Sequence, residues 1–189
     1  MDGFDKRKQQ KIKQIFSASF ELVTKYGFDK VKVDEIARKA RVSPATIYNY
    51  FGTKEQLFQE TVDHWIDSRI AEYEMILDSE LSFSQKIKDL MMHEAKNIKI
   101  LITLNQENPI TTHYFLHEAE EKMESFYSKL IDQGKKEGYI SSAYSEEILI
   151  THFKLFFHET NHYIHENSSE QIEQLLHLLF YGLFPHSTQ

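Results

Sequence analysis

VDEIARKARVSPATIYNYFGTKEQL, residues 33–57, decides the fold of this chain. Within it Ile36, Ala37 and Ala40 recur at three- and four-residue spacing, the inward face of a short helix over 33–40. Val42 leads into Ser43, a good N-cap, with Pro44 at the first helical position, where its missing N–H costs nothing. A second short helix runs to about Phe51–Gly52, and Thr53 with Gln56 three residues on is a capping box that opens the next. Two short helices across a tight turn, followed by a capped third, form the pattern of a helix-turn-helix.

Placing 100° per residue on Pro44–Phe51 sorts its side chains. Ile47 and Phe51 share one face, which packs inward with Val42. Ala45 and Asn49 lie nearly opposite, with Thr46 close to that side, and Tyr48 and Tyr50 flank the helix. In a major groove, Asn49 can pair with an adenine edge, and Thr46 and Ala45 can touch a thymine methyl or a base-edge acceptor. Tyr48 and Tyr50 then point to the groove walls, where a hydroxyl can donate to a phosphate. Lys54 opens the following helix, where an ammonium and free backbone N–H groups together favour a phosphate.

Working outward, Ile12, Ile15, Phe16, Ser19, Leu22, Val23 and Tyr26 form one buried stripe of a first helix over about 5–26, stopped by Gly27. The net charge of −7 looks ill suited to nucleic acid until it is divided. Residues 1–54 carry 12 Lys and Arg against 6 Asp and Glu, whereas residues 55–189 carry 10 against 23. A basic head on an acidic body suits a polyanion partner at one end. The absence of Cys excludes disulfides, thiolate metal sites and cysteine redox sensing. No apolar run approaches the roughly 18 residues that span a bilayer, and no apolar signal region opens the chain, so a soluble cytoplasmic protein with no membrane partner is expected.

The run YGFDKVKVDEIARKARVSPATIYNYFGTKEQLF, residues 26–58, resembles the N-terminal domain of the TetR family of transcriptional regulators. Gly27, Val33, Ile36, Ala37, Val42, Ser43, Ile47, Tyr48, Tyr50, Phe51 and Lys54 match the family pattern position by position. Two positions depart from it. Arg41 stands where the family usually has Gly in the turn; if the backbone there is left-handed, Arg costs on the order of 1 kcal/mol. Lys32 stands where a Thr or Ser cap is usual, a loss of about 0.5–2 kcal/mol. Each also adds a cation near the expected phosphates. The base-contacting set is then Ala45, Thr46 and Asn49, and the phosphate-contacting set Lys32, Arg41, Ser43, Tyr48, Tyr50 and Lys54.

Beyond the head, helices are expected over about 84–103, 112–137, 145–165 and 169–184, with Pro109 breaking the chain between the first two. In the last two helices the apolar arc is wider than one core contact needs, so part of it should face a second molecule. A two-fold DNA reader needs a dimer, and the resemblance implies one through these helices. Phe153, Phe157, Leu175, Leu176, Leu179 and Leu183 are the expected interface. The resemblance also implies an effector cavity among the middle helices, with Phe83, Met91, Phe115, Phe126, Tyr127 and Phe156 as its lining; aromatic and Met side chains at helical spacing are otherwise more often core. A ligand there would tilt the fourth helix and change the separation of paired heads.

His158-Glu159-Thr160-Asn161-His162 spells HExxH, in which two His bind zinc and Glu acts as general base. Nothing in the sequence supplies a third ligand or a shielded cleft, and ten His in 189 residues make chance pairs common. The expectation is therefore an all-α protein of about nine helices and no enzyme, with no catalytic residue, cofactor or metal. A helix-turn-helix domain over 1–53 joins through the fourth helix to a ligand-binding and dimerisation bundle over 54–189. It should repress from a pseudo-palindromic operator as a homodimer and be released by a small apolar or amphipathic effector. A zinc hydrolase built on His158, Glu159 and His162, or a signal-independent DNA-binding protein, is the alternative.

Overall fold

The computed structural model describes the backbone of residues 3–105, 109–163 and 169–181, and their side chains apart from those of 4, 95–96, 98–105, 109–121, 156–163, 169, 172–173, 176 and 180–181. Eight helices are described, against the nine or so expected: α1 Gly3–Tyr26, α2 Val33–Ala40, α3 Pro44–Phe51, α4 Lys54–Leu77, α5 Phe83–Asn105, α6 Pro109–Lys136, α7 Glu146–Tyr163 and α8 Ser169–Tyr181. Among the described residues there is no strand, and no helix is long and apolar enough to cross a membrane. Pro109, expected as a breaker, stands instead at the first position of α6, where its fixed φ suits the helix and its missing N–H has no partner to lose.

Two compact units make up the chain, one of Met1–Ser68 with Thr103–Glu118, the other of Arg69–Ile102 with Ala119–Gln189. The spacing of the residues divides head from body at 53/54; the compact units divide at 68/69, inside α4.

The second unit is built on local signals first. Ser82 and Gln85 cap α5 reciprocally: Gln85 N–H donates to Ser82 Oγ at 3.4 Å and Ser82 N–H to Gln85 Oε1 at 3.2 Å. Lys86 is buried and donates to the Leu77 carbonyl at 2.6 Å, satisfying one of the orphan carbonyls at the end of α4. Gly134, inside α6, permits a close approach that no other residue would. A Cβ there would stand 2.6 Å from Ile140 Cδ1 and 2.8 Å from Phe83 Cζ.

Around these contacts Tyr73, Leu77, Phe83, Ile87, Leu90, Met123, Phe126, Tyr127, Leu130, Ile131 and Phe153 form one buried cluster. Several residues expected at a cavity or an interface belong to this cluster or pack against it. Phe83, Phe126 and Tyr127, expected to line an effector cavity, are packed into this core, with Tyr73 and Phe126 centroids 5.5 Å apart; Met91 packs against it half-buried. Phe153, expected between two copies, is buried in its own protomer and stacked on Tyr127 at 4.9 Å. Leu175 and Leu179 are half-buried. Phe115, Phe156, Phe157, Leu176 and Leu183 lie outside the described side chains, as do His158, Glu159 and His162 of the HExxH run. Among the described residues no cluster of three metal-ligating side chains occurs.

One polar network interrupts the core. Arg69, 3% exposed, donates from Nη2 to both oxygens of Glu94 at 2.8 and 2.7 Å. Its Nε donates to Tyr73 Oη at 2.9 Å, Asn97 Nδ2 donates to the same oxygen at 2.9 Å, and the Tyr73 hydroxyl donates to Glu94. Burial, and then the negative Glu94, push the Tyr73 hydroxyl above its usual range, so it remains a neutral donor. Burial works against the Arg69 charge, but Glu94 and Tyr73 outweigh it and hold the guanidinium protonated. Such a pair is strong locally but weak in net stability, because both ions lose their hydration. Glu94→Ala should therefore cost about 3–5 kcal/mol in urea unfolding, by leaving a buried cation without its counter-charge. Arg69→Met combined with Glu94→Leu should restore stability to near or above the parent value.

Candidate nucleic-acid interface

The first unit positions the reading helix from three sides. Ile15, Ala18, Ser19 and Val23 are buried along α1. Phe16 of α1 packs on Phe51 of α3 with ring centroids 5.5 Å apart, and on His64 of α4 at 5.0 Å. Phe20 stacks on Trp65 of α4 at 5.4 Å. Gly27, with φ 84°, ends α1, its N–H donating to the Val23 carbonyl at 2.8 Å.

α2 starts without a hydroxyl cap. Lys32 holds the N-cap position, and a lysine side chain has no acceptor. Glu35 offsets part of that loss, since its carboxylate accepts from the Lys32 backbone N–H at 3.0 Å. This is the half of a capping box that needs no hydroxyl, and with Asp34 it places two negative charges in the first turn. As expected, Ile36, Ala37 and Ala40 are buried. At the other end Arg41 is left-handed, with φ 56° and ψ 44°. Its N–H donates to the Arg38 carbonyl at 3.3 Å and that of Val42 to the Ala37 carbonyl at 3.0 Å. These two bonds are a Schellman motif with arginine where glycine fits best. The motif turns the chain sharply into Ser43.

Ser43 caps α3. Its Oγ accepts from the Thr46 backbone N–H at 3.1 Å and shares a hydrogen bond with Thr46 Oγ1 at 2.8 Å. The Thr46 hydroxyl, expected at a base edge, is thereby engaged at the cap. Ile47 and Phe51 are 1% and 5% exposed, while Ala45, Tyr48 and Asn49 are exposed and Thr46 and Tyr50 half-buried. Gly52 closes the helix with φ 76°, its N–H donating to the Tyr48 carbonyl at 2.9 Å. Thr53 Oγ1 accepts from the Gln56 N–H at 3.1 Å and so opens α4.

Two cations take positions that spacing did not foretell. Lys8 Nζ lies over the Tyr50 ring at 5.8 Å from its centroid, setting the basic start of α1 beside the flank of the reading helix. The basic run of residues 6–13 was the signal for it. Lys54, expected on a phosphate, donates one N–H to the Phe28 carbonyl at 2.5 Å and sits 4.2 Å over the Phe28 ring. It ties the start of α4 to the turn after α1 and retains two further donors. Lys32 and Arg41 are exposed. Eight of the nine expected contact residues stand on α3, in the turn before it or at the start of α4; Lys32 stands apart from them, at the N-cap of α2.

Residues 15–61 match the family model of bacterial regulatory proteins, tetR family. The HTH-type transcriptional regulator YhgD of Bacillus subtilis (strain 168) is 25% identical over 151 residues, 76% of this chain and 79% of that protein. The fatty acid metabolism regulator protein of the same organism is 36% identical over 66 residues, 33% of this chain and 34% of its own. Among solved structures, the fatty acid degradation regulator FadR of Bacillus halodurans superposes with a TM-score of 0.69 at 19% identity, covering 92% of this chain and 96% of that one. The regulator FadR of Bacillus subtilis in complex with stearoyl-CoA does so at 0.65 and 18%, over 90% and 98%. At these identities the structural likeness is one of fold. None of these relatives supports a zinc hydrolase.

Arg41→Gly should raise stability by about 1 kcal/mol, a rise of roughly 2–4 °C in Tm for a chain of this size, measurable by calorimetry.

Proposed function

We propose that the chain is a transcriptional regulator of the TetR family, which its residues 15–61 match, and that it represses by binding a pseudo-palindromic operator as a homodimer and releases it when an amphipathic effector binds. In this reading residues 1–53 read DNA, and residues 54–189 bind the effector and dimerise in the cytoplasm. The observation that carries it is the division of α3: Ile47 and Phe51 are buried, while Ala45, Tyr48 and Asn49 are turned outward from a capped, eight-residue helix. A helix so anchored offers a groove one polar face in one fixed rotation.

Asn49 is the base reader and Ala45 the methyl contact, with Thr46 adding to that face. Tyr48 and Tyr50 donate to phosphates, and Lys32, Arg41, Ser43 and Lys54 add charge or hydrogen bonds at the two turns. A long-chain acyl-CoA is the first effector to test, since the stearoyl-CoA complex of the Bacillus subtilis regulator has the same fold. Dimerisation through α7 and α8 draws support from exposed apolar side chains on both. Ile148 and Leu155, 59% and 60% exposed, are two turns apart on α7; Leu178 on α8 is 41% exposed. His152 Nε2 lies 3.3 Å from the Leu179 carbonyl and joins the two helices.

Selection of bound sites from random DNA, followed by titration of the selected operator with stearoyl-CoA, tests the whole reading. Failure to enrich any palindrome would overturn it. Operator affinity indifferent to acyl-CoA chains and to a wider ligand library would favour the signal-independent alternative. Asn49→Ala should cost about 1–3 kcal/mol on the selected operator and relax preference at one position. Tyr48→Phe should cost about 0.5–1.5 kcal/mol equally on operator and random DNA. Ile148→Asp with Leu155→Asp should raise the dimer dissociation constant about tenfold or more in sedimentation equilibrium, roughly 1.4 kcal/mol or above.

A further inference from the structure

One side of α1 presents Gln10, Lys13, Gln14 and Ser17 at three- and four-residue spacing, and facing it are Lys39, Ala40 and Arg41 from the end of α2. Together they line a surface cleft of about 430 Å³. Lys8, which meets Tyr50, is about 200° around the helix from Gln10, so this is a second basic side of α1. Every ionisable residue in the lining is a cation, and Gln10, Gln14 and Ser17 add amide and hydroxyl donors. Lys39 is paired with Glu21 at 2.7 Å. Among the described residues no ion pair is seen at Lys13 or Arg41.

Arg41 is the one non-glycine residue with positive φ among those described. Its backbone is strained, and its side chain lines the cleft. Strained residues cluster at functional sites, although a left-handed residue is also an ordinary helix stop. Favourable interaction with the C-terminal dipole of α2 is the simpler account of Lys39 and Arg41. It does not explain Lys13 on another helix, nor the hydrogen-bonding row beside it. The Schellman bonds have also engaged the Ala37 and Arg38 carbonyls, reducing the negative potential that would repel an anion there.

We propose that this cleft is a phosphate-binding site, with Lys13 and Arg41 supplying charge and Gln10, Gln14 and Ser17 supplying hydrogen bonds. The phosphate comes from the DNA backbone alongside the bases read by α3, or from a soluble polyphosphate. Only the first source rests on the DNA-binding function proposed above.

Lys13→Gln and Arg41→Gly, singly and together, test it in the full-length protein. Both changes suit their backbones, the first on an exposed helix face and the second at a left-handed position, so neither endangers the fold. Binding to a 30-base-pair duplex is followed by fluorescence anisotropy across salt concentrations. The slope of log affinity against log salt should fall by about 0.9 for each phosphate that is no longer neutralised. Lys25→Gln, which removes a charge at the far end of the same helix, should keep the parent slope. In parallel, the rise in Tm produced by millimolar tripolyphosphate is compared between parent and double variant. A lower slope with Lys13→Gln alone as well as with the double variant assigns the site to DNA, whereas a fall seen only when Arg41 is changed belongs to the turn contact proposed above and overturns the cleft. An unchanged slope with the tripolyphosphate shift abolished assigns it to a soluble polyphosphate, and that arm reads the cleft even if the protein binds no duplex. Parent-like behaviour of the double variant in both assays, or an equal fall in slope with Lys25→Gln, overturns the proposal.

Discussion

Burial of Ile47 and Phe51 is the contact on which the reading head depends. An eight-residue helix is too short to hold itself in water, so α3 exists because its apolar face is buried in the head, with Phe51 against Phe16. Each such side chain is worth about 1.5–3 kcal/mol when fully buried. Two anchors four residues apart also set the rotation of the helix, and that rotation selects which side chains face outward. Position along the axis is set at the ends. The left-handed Arg41 and the Ser43 cap place the start, and Gly52 with the Lys54–Phe28 contact places the finish.

The second unit solves a different problem. Its core is broad and aromatic, and aromatic packing alone tolerates alternative arrangements of similar energy. The Arg69–Tyr73–Glu94–Asn97 network is directional: the bonds from Arg69 and Tyr73 to Glu94 and from Asn97 to Tyr73 require a particular juxtaposition of α4 and α5, while the Arg69–Tyr73 bond lies within α4. Its net stabilisation is small, because both ions give up their hydration to form it. A misregistered pairing of the two helices would instead leave a charge unpaired in the core, a cost of several kcal/mol.

What the residues disclosed in advance was mostly what is decided within a few positions. The α1 stripe ended by Gly27, the Ser43–Pro44 start and the Thr53 cap each depend on neighbours close in sequence, and each stands where the spacing placed it, except that Tyr26, expected at the end of the buried stripe, is 47% exposed. Even the loss at Lys32 had a local remedy in Glu35, three residues on. Choices among distant partners were not legible. Lys54 has the spacing of a phosphate ligand, and nothing nearby indicates that the Phe28 carbonyl takes one of its donors. Arg69 and Glu94 read as ordinary surface charges until α4 and α5 are seen side by side. Phe153 belongs to an arc wide enough for both a core and a partner, and periodicity cannot say which part of such an arc turns inward.

The stack of Trp65 on Phe20 has a practical consequence. Trp65 is the sole tryptophan in the chain, and it is seated in the first unit, where α4 meets α1. Indole emission depends on the ring's immediate surroundings, so excitation at the red edge of the absorption band, where the tyrosines are silent, observes one unit and not the other. The chain therefore carries its own optical label on the head, and loosening of that part can be timed against the far-ultraviolet signal of all the helices without attaching a dye.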